Sequence, residues 1–420
     1  MSVKCGMRNS GSGIAARGGA ATRSAAVATR RVKFDAIAIN SVAKKKPTAE
    51  DAAHYIGLEH IDPGCFAVSR WGGDVAPIGD KLLMKKGDVL FGRRRAYQRK
   101  VAIAPFDGIF SAHGMVLRPK TDVVDEKFFP FFIASDQFMN EAVRISVGGL
   151  SPTINWKTLK DYEFDLPPLD EQKKLAELLW AANDLKESYK KAITATDEML
   201  KAKFREMFGD AGDDGSRRGT EKQSKSDSYQ KILASTKRVC IEEIADVFSG
   251  GTPNRDKPEY WKEGSIPWVK TTELKNSFIN DTEEKITELG LENSSAKLMP
   301  INTILVAMYG QGKTRGMTGC LSIPATTNQA CACIVAHDCV DVRYLWMFLI
   351  LSYQDLRRMA NSTSQANLSL DSIKHFQIPL PPLALQREFV AIADKAESAK
   401  ANLKKSIAAI DQVMKGLING

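Results

Sequence analysis

Leu166-Pro167-Pro168-Leu169, with Gln172 three residues on, recurs as Leu380-Pro381-Pro382-Leu383 with Gln386. The offset is 214 residues in a chain of 420, so the two copies lie about half a chain apart. At the same offset Leu159-Lys160 meets Ile373-Lys374, and Asp88-Val89-Leu90 meets Asn302-Thr303-Ile304. Self-similarity at a fixed period marks a repeated architecture, and the chain reads as one unit written twice.

Each copy opens a long helical pattern. Proline is tolerated in the first turn of a helix and not inside it, so both Pro-Pro pairs mark helix starts. Behind the first, Leu175, Leu178, Ala182, Leu185, Tyr189, Ala192, Thr196 and Met199 fall at alternating steps of three and four. Behind the second, Phe389, Ile392, Ala396, Ala399, Leu403, Ser406, Ile410 and Val413 repeat the spacing, with polar residues such as Lys186, Glu187, Lys404 and Lys405 between. Such steps sustained over four heptads predict a coiled-coil seam, for which we single out Leu175, Leu178, Leu185, Met199, Phe389, Ile392, Leu403 and Ile410. A long amphipathic helix lying on its own globular domain would look similar; the presence of a duplicate favours pairing.

Upstream of each helix lies a mixed region. Short β-type runs at residues 88–91, 101–104, 115–117, 303–308 and 330–336, with helical segments at 127–143 and 344–359, make it α+β. The expected order is a basic disordered arm (1–31), a first recognition domain (32–166), a first spacer helix (167–208), a charged Ser/Gly-rich linker (209–238), a second recognition domain (239–379) and a second spacer helix (380–420). A helix of about 38 residues carries the chain ~57 Å from its first domain. The second helix can pair along it only by running back, so the expected closure is an antiparallel coiled coil with a domain at each end and a pseudo-twofold axis across the helices. Duplex DNA has the same symmetry, which is why twofold proteins read inverted half-sites.

Composition narrows the partners. With 43% hydrophobic and 26% charged residues the chain is an ordinary globular one, too long for a single core. No run approaches the 18 or so apolar residues of a membrane span. Seven scattered cysteines suit a reducing compartment, and we expect a cytoplasmic protein. The net charge of +9 is misleading as a whole-chain sum, because residues 1–33 hold seven basic side chains and no acid, leaving +2 for the other 387 residues. That Gly/Ala/Ser-rich arm also has the composition of an organellar transit peptide, although a flexible tail or an upstream start codon is the preferred reading. Residues 239–379 sum to −3, with 13 basic and 16 acidic side chains, so bulk charge says little about them.

Local charge says more. Residues 85–100 carry Lys85, Lys86, Arg93, Arg94, Arg95, Arg99 and Lys100 against one acid, Asp88, with Tyr97 and Gln98 among them. Arginine and lysine neutralise phosphates, arginine grips guanine bidentately and glutamine suits adenine. A solvated charged loop would carry the same residues. The corresponding loop of the second repeat offers Tyr309, Gln311, Lys313 and Arg315 at lower charge. Gly312-Lys313-Thr314 imitates the end of a phosphate-binding loop, but Ala307 stands where that pattern needs glycine. Cys331 and Cys333, with His337 and Cys339, have metal-ligand types, yet Ala330, Ala332, Ile334 and Val335 make the segment a buried strand, where cysteine acts as a small hydrophobe. There is no HExxH, no nucleophile elbow and no dinucleotide fingerprint, and neither Pro-Pro pair gives the Asn/Asp-Pro-Pro-Tyr/Phe signature of amino-methylating enzymes. We expect a binding protein with no catalytic and no metal site. A coiled-coil scaffold whose terminal domains bind protein is the alternative, and steep loss of affinity with salt separates DNA from it.

The duplicated unit, in which Leu-Pro-Pro-Leu-x-x-Gln leads into a helix ending Met207-Phe208-Gly209-Asp210, resembles the DNA-specificity subunit of type I restriction-modification systems. The first globular region looks like a target recognition domain through Tyr55-Ile56-Gly57-Leu58-Glu59-His60-Ile61 and the run Leu90-Phe91-Gly92-Arg93-Arg94-Arg95-Ala96-Tyr97-Gln98. The second does so through Ser249-Gly250-Gly251-Thr252-Pro253, Tyr260-Trp261 and Ile266-Pro267-Trp268. The resemblance covers about residues 32 to 418. It implies that each recognition domain reads one half of a bipartite double-stranded DNA target and that the helices set the gap and dock two adenine methyltransferase subunits. It implies S-adenosylmethionine on those subunits, and two ATP- and Mg-dependent restriction subunits that can join them, with no cofactor on this chain. Placing the loop residues named above at the DNA is inference from residue type.

Overall fold

The structure is a computed structural model that describes residues 29–209, 236–310, 312–361 and 367–419. Most of the basic arm, most of the linker and Gln311 therefore lie outside the described residues. Two units are distinct, one of Met1–Leu185 with Ala409–Gly420, the other of Lys186–Ala408. The long helices Leu169–Phe208 and Leu383–Asn419 each start in one unit and end in the other.

In the first unit, β1 (Arg30–Lys33), β2 (Ala38–Ser41), β3 (Lys44–Lys45), β4 (Tyr55–Ile56), β5 (Lys81–Met84), β6 (Val89–Phe91), β7 (Val101–Ile103), β8 (Gly108–Phe110), β9 (Met115–Pro119) and β10 (Glu163–Leu166) follow along the chain. One four-stranded sheet runs β2-β9-β6-β7 and another β3-β5-β8-β4, while β1 pairs antiparallel with β10. Arg30 and Arg31, assigned above to the arm, thus belong to a strand. The helical segment expected at 127–143 is two helices, Phe129–Ala134 and Asp136–Arg144. Ser135 breaks them: its backbone is extended, and its hydroxyl accepts the Phe138 N–H at 3.1 Å, capping the second helix. Phe34, Phe91, Phe129, Phe131, Phe138 and Phe164 are buried together beneath the first sheet's helices, each contributing about 1.5–3 kcal/mol of apolar burial.

In the second unit, β11 (Arg238–Cys240), β12 (Ala245–Ser249), β13 (Ile266–Val269), β14 (Ser277–Ile279), β15 (Glu284–Ile286), β16 (Ile304–Ala307), β17 (Thr318–Leu321), β18 (Thr326–Thr327), β19 (Cys331–Ala336) and β20 (Gln377–Pro379) follow. A five-stranded sheet runs β12-β19-β16-β17-β14, a three-stranded one β15-β13-β18, and β11 pairs antiparallel with β20. The segment expected at 344–359 is again two helices, Val342–Leu351 and Tyr353–Asn361. Asp341 caps the first of them, accepting from the N–H groups of Arg343 and Tyr344.

The repeated glutamine explains the repeated motif. Gln172 is 1% exposed; its Oε1 accepts the Asp125 N–H at 2.8 Å, and its Nε2 donates to Pro167 O at 2.8 Å and Val123 O at 3.3 Å. Gln386 is 0% exposed, accepts from Asp341 N–H at 2.8 Å and donates to Pro381 O at 2.7 Å. In each unit one buried amide ties the start of the helix to the loop that precedes the domain's own helices. The backbone N–H of each glutamine bonds to the carbonyl of the second proline, Pro168 or Pro382, and its side-chain amide supplies a donor to the carbonyl of the first, Pro167 or Pro381.

The helices' buried stripe differs in register from the expected one. On the first helix the buried positions are Gln172, Ala176, Leu179, Asn183, Lys186, Leu200, Phe204, Met207 and Phe208, while Leu178, Leu185 and Met199 stand 55%, 44% and 46% exposed. The stripe lies one residue on from the expected seam. On the second helix Gln386, Phe389, Ala393, Ala396, Lys400 and Met414 are buried, while Val413 is exposed and Ile392, Leu403 and Ile410 are half-buried. The reason is chemical: Gln172, Asn183, Lys186 and Lys400 occupy buried positions that a search for apolar periodicity passes over. Lys400 is ion-paired with Asp197 and Glu397 within the second unit. Leu200, Phe204 and Met207 there pack with Tyr344, Phe348 and Phe389. In the first unit Leu175, Leu179 and Ala182 share a cluster with Ile410, Met414 and Leu417. Among the described residues no helix is long and apolar enough to cross a membrane.

Candidate functional site

The basic stretch of the first unit is divided by its own strand. Lys85 and Lys86 lie in the turn before β6, where Asp88 and Asp107 accept their backbone N–H groups at 2.7 Å, and Arg93, Arg94 and Arg95 lie beyond the strand's other end. Asp88, the single acid of the stretch, is 6% exposed and bonded bidentately by Arg118 at 2.7 and 2.9 Å. Its carboxylate is used in the core and does not offset the arginines.

Arg93, Arg94 and Arg95 are laid against the segment that returns before the long helix. Ile154 N–H donates to Arg93 O at 3.0 Å, Arg95 N–H to Pro152 O at 2.7 Å, and Arg94 bridges Thr153. Arg93 also donates from Nη2 to Ala112 O, Arg94 Nη1 meets His113 Nε2 at 3.4 Å, and Arg95 donates to Ser151 Oγ. Arg95 and Arg99, at φ 56° and 51°, bracket a single 3₁₀ turn, Ala96–Gln98, that lifts Tyr97 into solvent and leaves Gln98 half-buried. Left-handed backbone at a non-glycine residue costs ~1–3 kcal/mol and persists where neighbours over-determine it, often at functional sites. Here Arg99 is held by Ala134 O and Asp136, and Asp136 is shared with Lys415 at 2.7 Å. The Lys415 bond, and after it Arg99, keeps the Asp136 carboxyl below the usual range. Lys100 donates to Leu58 O at 2.6 Å. Arg99 and Lys100 therefore hold the loop, Arg95 and Tyr97 stand exposed on it, and Arg93 and Arg94 are half-buried beside them.

His113 was not legible as part of this site. Burial, then the charges of Arg94, Arg93 and Lys81, hold its pKa below the ordinary 6.5. Three cationic side chains thus lie near its ring.

The second unit repeats the arrangement with different chemistry. Leu368 N–H donates to Met308 O at 3.1 Å, as Ile154 does to Arg93 in the first. Tyr309 is 42% exposed, Lys313 is exposed and Arg315 half-buried. The loop is braced from the helix Tyr353–Asn361: Tyr353 OH donates to Lys313 O at 2.8 Å, and Arg357 Nη1 to Gly312 O at 2.9 Å and Arg315 O at 3.1 Å. In the first unit the loop's arginine reaches the helix, and here the helix's arginine reaches the loop. Cys331 and Cys333 are fully buried in β19, and burial pushes the Cys331 thiol up to about 12. Among the described residues no group of three His, Cys, Asp or Glu side chains is placed to hold a metal ion.

A family model described as the type I restriction modification DNA specificity domain matches residues 45–195 and again 235–412. The chain belongs to that family. The specificity subunit of the Escherichia coli type I restriction enzyme EcoR124I/EcoR124II is 30% identical over 187 residues, 43% of this chain and 46% of that protein. The chain thus spans about half the length of that relative. The HindI specificity subunit of Haemophilus influenzae is 20% identical over 407 residues, 81% of this chain and 87% of that one. The crystal structure of a type I restriction-modification S subunit from M. genitalium shares the fold, with a TM-score of 0.51 at 16% identity over 94% of this chain and 96% of that chain. Specificity subunits are the non-catalytic components of type I restriction-modification systems. Within this chain, the glycines of Ser249-Gly250-Gly251-Thr252-Pro253 serve close packing: a Cβ on Gly250 would lie 2.3 Å from Thr327 O and Asn328 O, and on Gly251 2.3 Å from Ala296 N. Trp268 Nε1 donates to Gly251 O at 3.0 Å, and the Arg255 guanidinium sits 3.6 Å over Trp261 while pairing with Glu284.

Proposed function

We propose that the chain is the sequence-specific DNA-binding subunit of a type I restriction-modification complex, each recognition domain reading one half of a bipartite target. The observation that carries this reading is the duplication in space: each unit lays a loop with basic and aromatic side chains, types suited to phosphates and bases, against the segment returning to its long helix, and each helix start is locked by the same buried glutamine. The loops at Arg93, Arg94, Arg95 and Tyr97, and at Tyr309, Lys313 and Arg315, would face the duplex; Lys85 and Lys86 would reach other phosphates.

The two long helices would pair antiparallel and set the gap between half-sites. Contacts within each unit support this, because partners on one helix rise in number as those on the other fall: Asp197 with Lys400 and Phe204 with Phe389 in one unit, Leu179 and Ala182 clustered with Met414 and Ile410 in the other. A helix of 40 residues is ~60 Å long, a rigid spacer between reading heads. Exposed Leu178 and Leu185 on the first unit, and Met199 on the second, suit docking of two adenine methyltransferase subunits. S-adenosylmethionine would reside on those subunits, ATP and Mg on two restriction subunits that join them, and the assembly would work in the cytoplasm, where the DNA is.

Co-expression with the cognate methyltransferase, followed by methylation mapping of the host genome, tests the proposal. A two-part motif with a fixed gap and modified adenines on opposite strands is the expected result; methylation of a short continuous motif would overturn it. Binding that does not weaken with salt would point instead to a protein-binding scaffold.

A further inference from the structure

The turn that carries Tyr97 is held at both ends in a backbone that non-glycine residues avoid. Arg95 and Arg99 take φ of 56° and 51° on either side of Ala96–Gln98. At the first end Arg95 N–H donates to Pro152 O at 2.7 Å, and the Arg95 guanidinium donates to Ser151 Oγ at 3.3 and 3.2 Å. At the second end Arg99 Nη2 donates to Ala134 O at 3.1 Å and to Asp136 Oδ1 at 2.7 Å. The other oxygen of that carboxylate, Oδ2, meets Lys415 Nζ at 2.7 Å. Asp136 is the first residue of the helix Asp136–Arg144, directly behind the Ser135 cap, so the helix holds its backbone. One carboxylate therefore joins three parts of the first unit: the loop, a helix of the recognition domain, and the last turns of the second long helix.

The second unit braces its own loop from the corresponding helix. Tyr353–Asn361 follows Val342–Leu351 as Asp136–Arg144 follows Phe129–Ala134. From it Tyr353 and Arg357 donate to the carbonyls of Lys313, Gly312 and Arg315. The polarity is reversed, with the helix accepting in one unit and donating in the other, yet both loops take their shape from the same place in the domain. Left-handed backbone at an arginine is unfavourable by itself and persists where neighbours over-determine it. A hydrogen bond between two ionised groups is shorter and stronger than a neutral one, and Asp136 supplies that bond to Arg99. Without the carboxylate Arg99 keeps only the Ala134 carbonyl, and the turn relaxes toward ordinary backbone, displacing Tyr97.

We propose that Asp136 is a positioning residue for DNA reading by the first recognition domain: it sets the shape of the loop between Arg95 and Arg99, and through Lys415 it makes that reading depend on the last turns of the chain. This rests on the DNA-reading function proposed above. In this role Asp136 acts through Arg99 and touches no base. The sign of its effect separates positioning from plain charge, because removing an acid near a polyanion tightens binding to every sequence alike, whereas a displaced loop loses preference for the target. The Lys415 side chain is 67% exposed and that of Arg99 40%, so the Lys415 bond is the weaker and the more readily screened of the two.

The test uses the full chain with its methyltransferase subunits, the duplex carrying the mapped target, and two duplexes in which one half of that target is scrambled. Preference for a half-site is the affinity for the intact target divided by that for the duplex with that half scrambled. Asp136→Asn and Arg99→Met should each lower the preference for one and the same half-site ~10-fold and leave the other half unchanged. The double variant should lose no more than the stronger single one, since both remove the same bond. Salt dependence should keep its wild-type slope, because no phosphate contact is lost. Asp136→Glu, which retains the charge, should recover most of the preference. Lys415→Met should lose ~2-fold at low salt and nothing at high salt. If Arg99→Met weakens every duplex equally and lowers the salt slope by about 0.9, Arg99 is a phosphate contact and the proposal falls. Tighter binding of Asp136→Asn to all three duplexes at unchanged preference would reduce Asp136 to background charge and equally overturn it, as would equal loss at both half-sites. Should Asp136→Asn fail to fold, Arg99→Met and Lys415→Met decide by the same readings. Wild type that binds all three duplexes alike would remove the DNA-reading function itself, whereas wild-type preference that both single variants retain would remove only the role of Asp136.

Discussion

Replacing Gln172 by methionine isolates the joint between the first recognition domain and its helix. Methionine keeps the length and apolar volume of the side chain and removes three hydrogen bonds, one accepted from Asp125 N–H at 2.8 Å and two donated to Pro167 O and Val123 O at 2.8 and 3.3 Å. The site is 1% exposed, so water does not replace them. An orphaned buried N–H costs about 1–3 kcal/mol and the two carbonyls less, because each keeps a second lone pair; the sum is ~2–4 kcal/mol. Urea unfolding should register that loss in the midpoint, and hydrogen exchange at the Asp125 amide should accelerate. Gln172→Glu sharpens the experiment. At pH 7 its carboxylate still accepts from Asp125 but meets two carbonyl oxygens with no proton to give. Burial raises its folded-state pKa above the unfolded ~4.3, so the folded state binds more protons and stability rises as pH falls from 7 toward 5. The methionine variant has no such recovery. If Gln172→Met lies within about 0.5 kcal/mol of wild type, or if Gln172→Glu gains nothing on acidification, the buried amide does not hold the joint.

Alanine at Arg95 should cost ~1–3 kcal/mol and relax one half of the target if the side chain reads a base, as scored by methylation mapping; equal loss on every sequence would make it a phosphate contact. Phe389→Ala should destabilise by about 3–5 kcal/mol in thermal or urea unfolding, because a fully buried ring is removed from a cluster with Phe204 and Tyr344. Leu178→Glu, at a position 55% exposed, should leave unfolding unchanged and weaken capture of the methyltransferase subunit; collapse of the fold would place the buried stripe wrongly. The pKa of His113 is lowered from 6.5, chiefly by burial, so the unfolded chain takes up its proton first: its contribution to stability is complete above pH 6.5 and declines as pH falls below, and His113→Gln should flatten that slope in a pH series of melting curves. Phosphates near Arg93 and Arg94 would relieve the repulsion on His113, so DNA affinity should rise from pH 7.5 to 6 in wild type and less in His113→Gln.

The duplication shows how far local pattern reaches. Leu-Pro-Pro-Leu-x-x-Gln is a contiguous signal, and its physical content is local too: proline at a helix start, a glutamine one turn in. Ser135 and Ser352 show the limit, since each breaks what apolar periodicity ran together as one helix. The helix stripe shows it again. Leu178, Leu185 and Met199 make a regular apolar row that faces water, while the buried row passes through Asn183, Lys186 and Lys400. Which of two adjacent rows is buried depends on what lies opposite, and polar residues enter a buried row when a partner such as Asp197 is brought to them.

From sequence alone came the repeat, two mixed domains, two long helices with their starts, and the basic loop, because each depends on residues close in the chain. Tertiary structure decided which of those basic residues act together. Strand β6 separates Lys85 and Lys86 from Arg93, while folding brings in His113, Asp136, Ser151 and Lys415 from 19 to more than 300 residues away. Charge acts through space and falls off over a Debye length of ~10 Å, so a site made of it is defined by distance in the fold, which order along the chain does not encode.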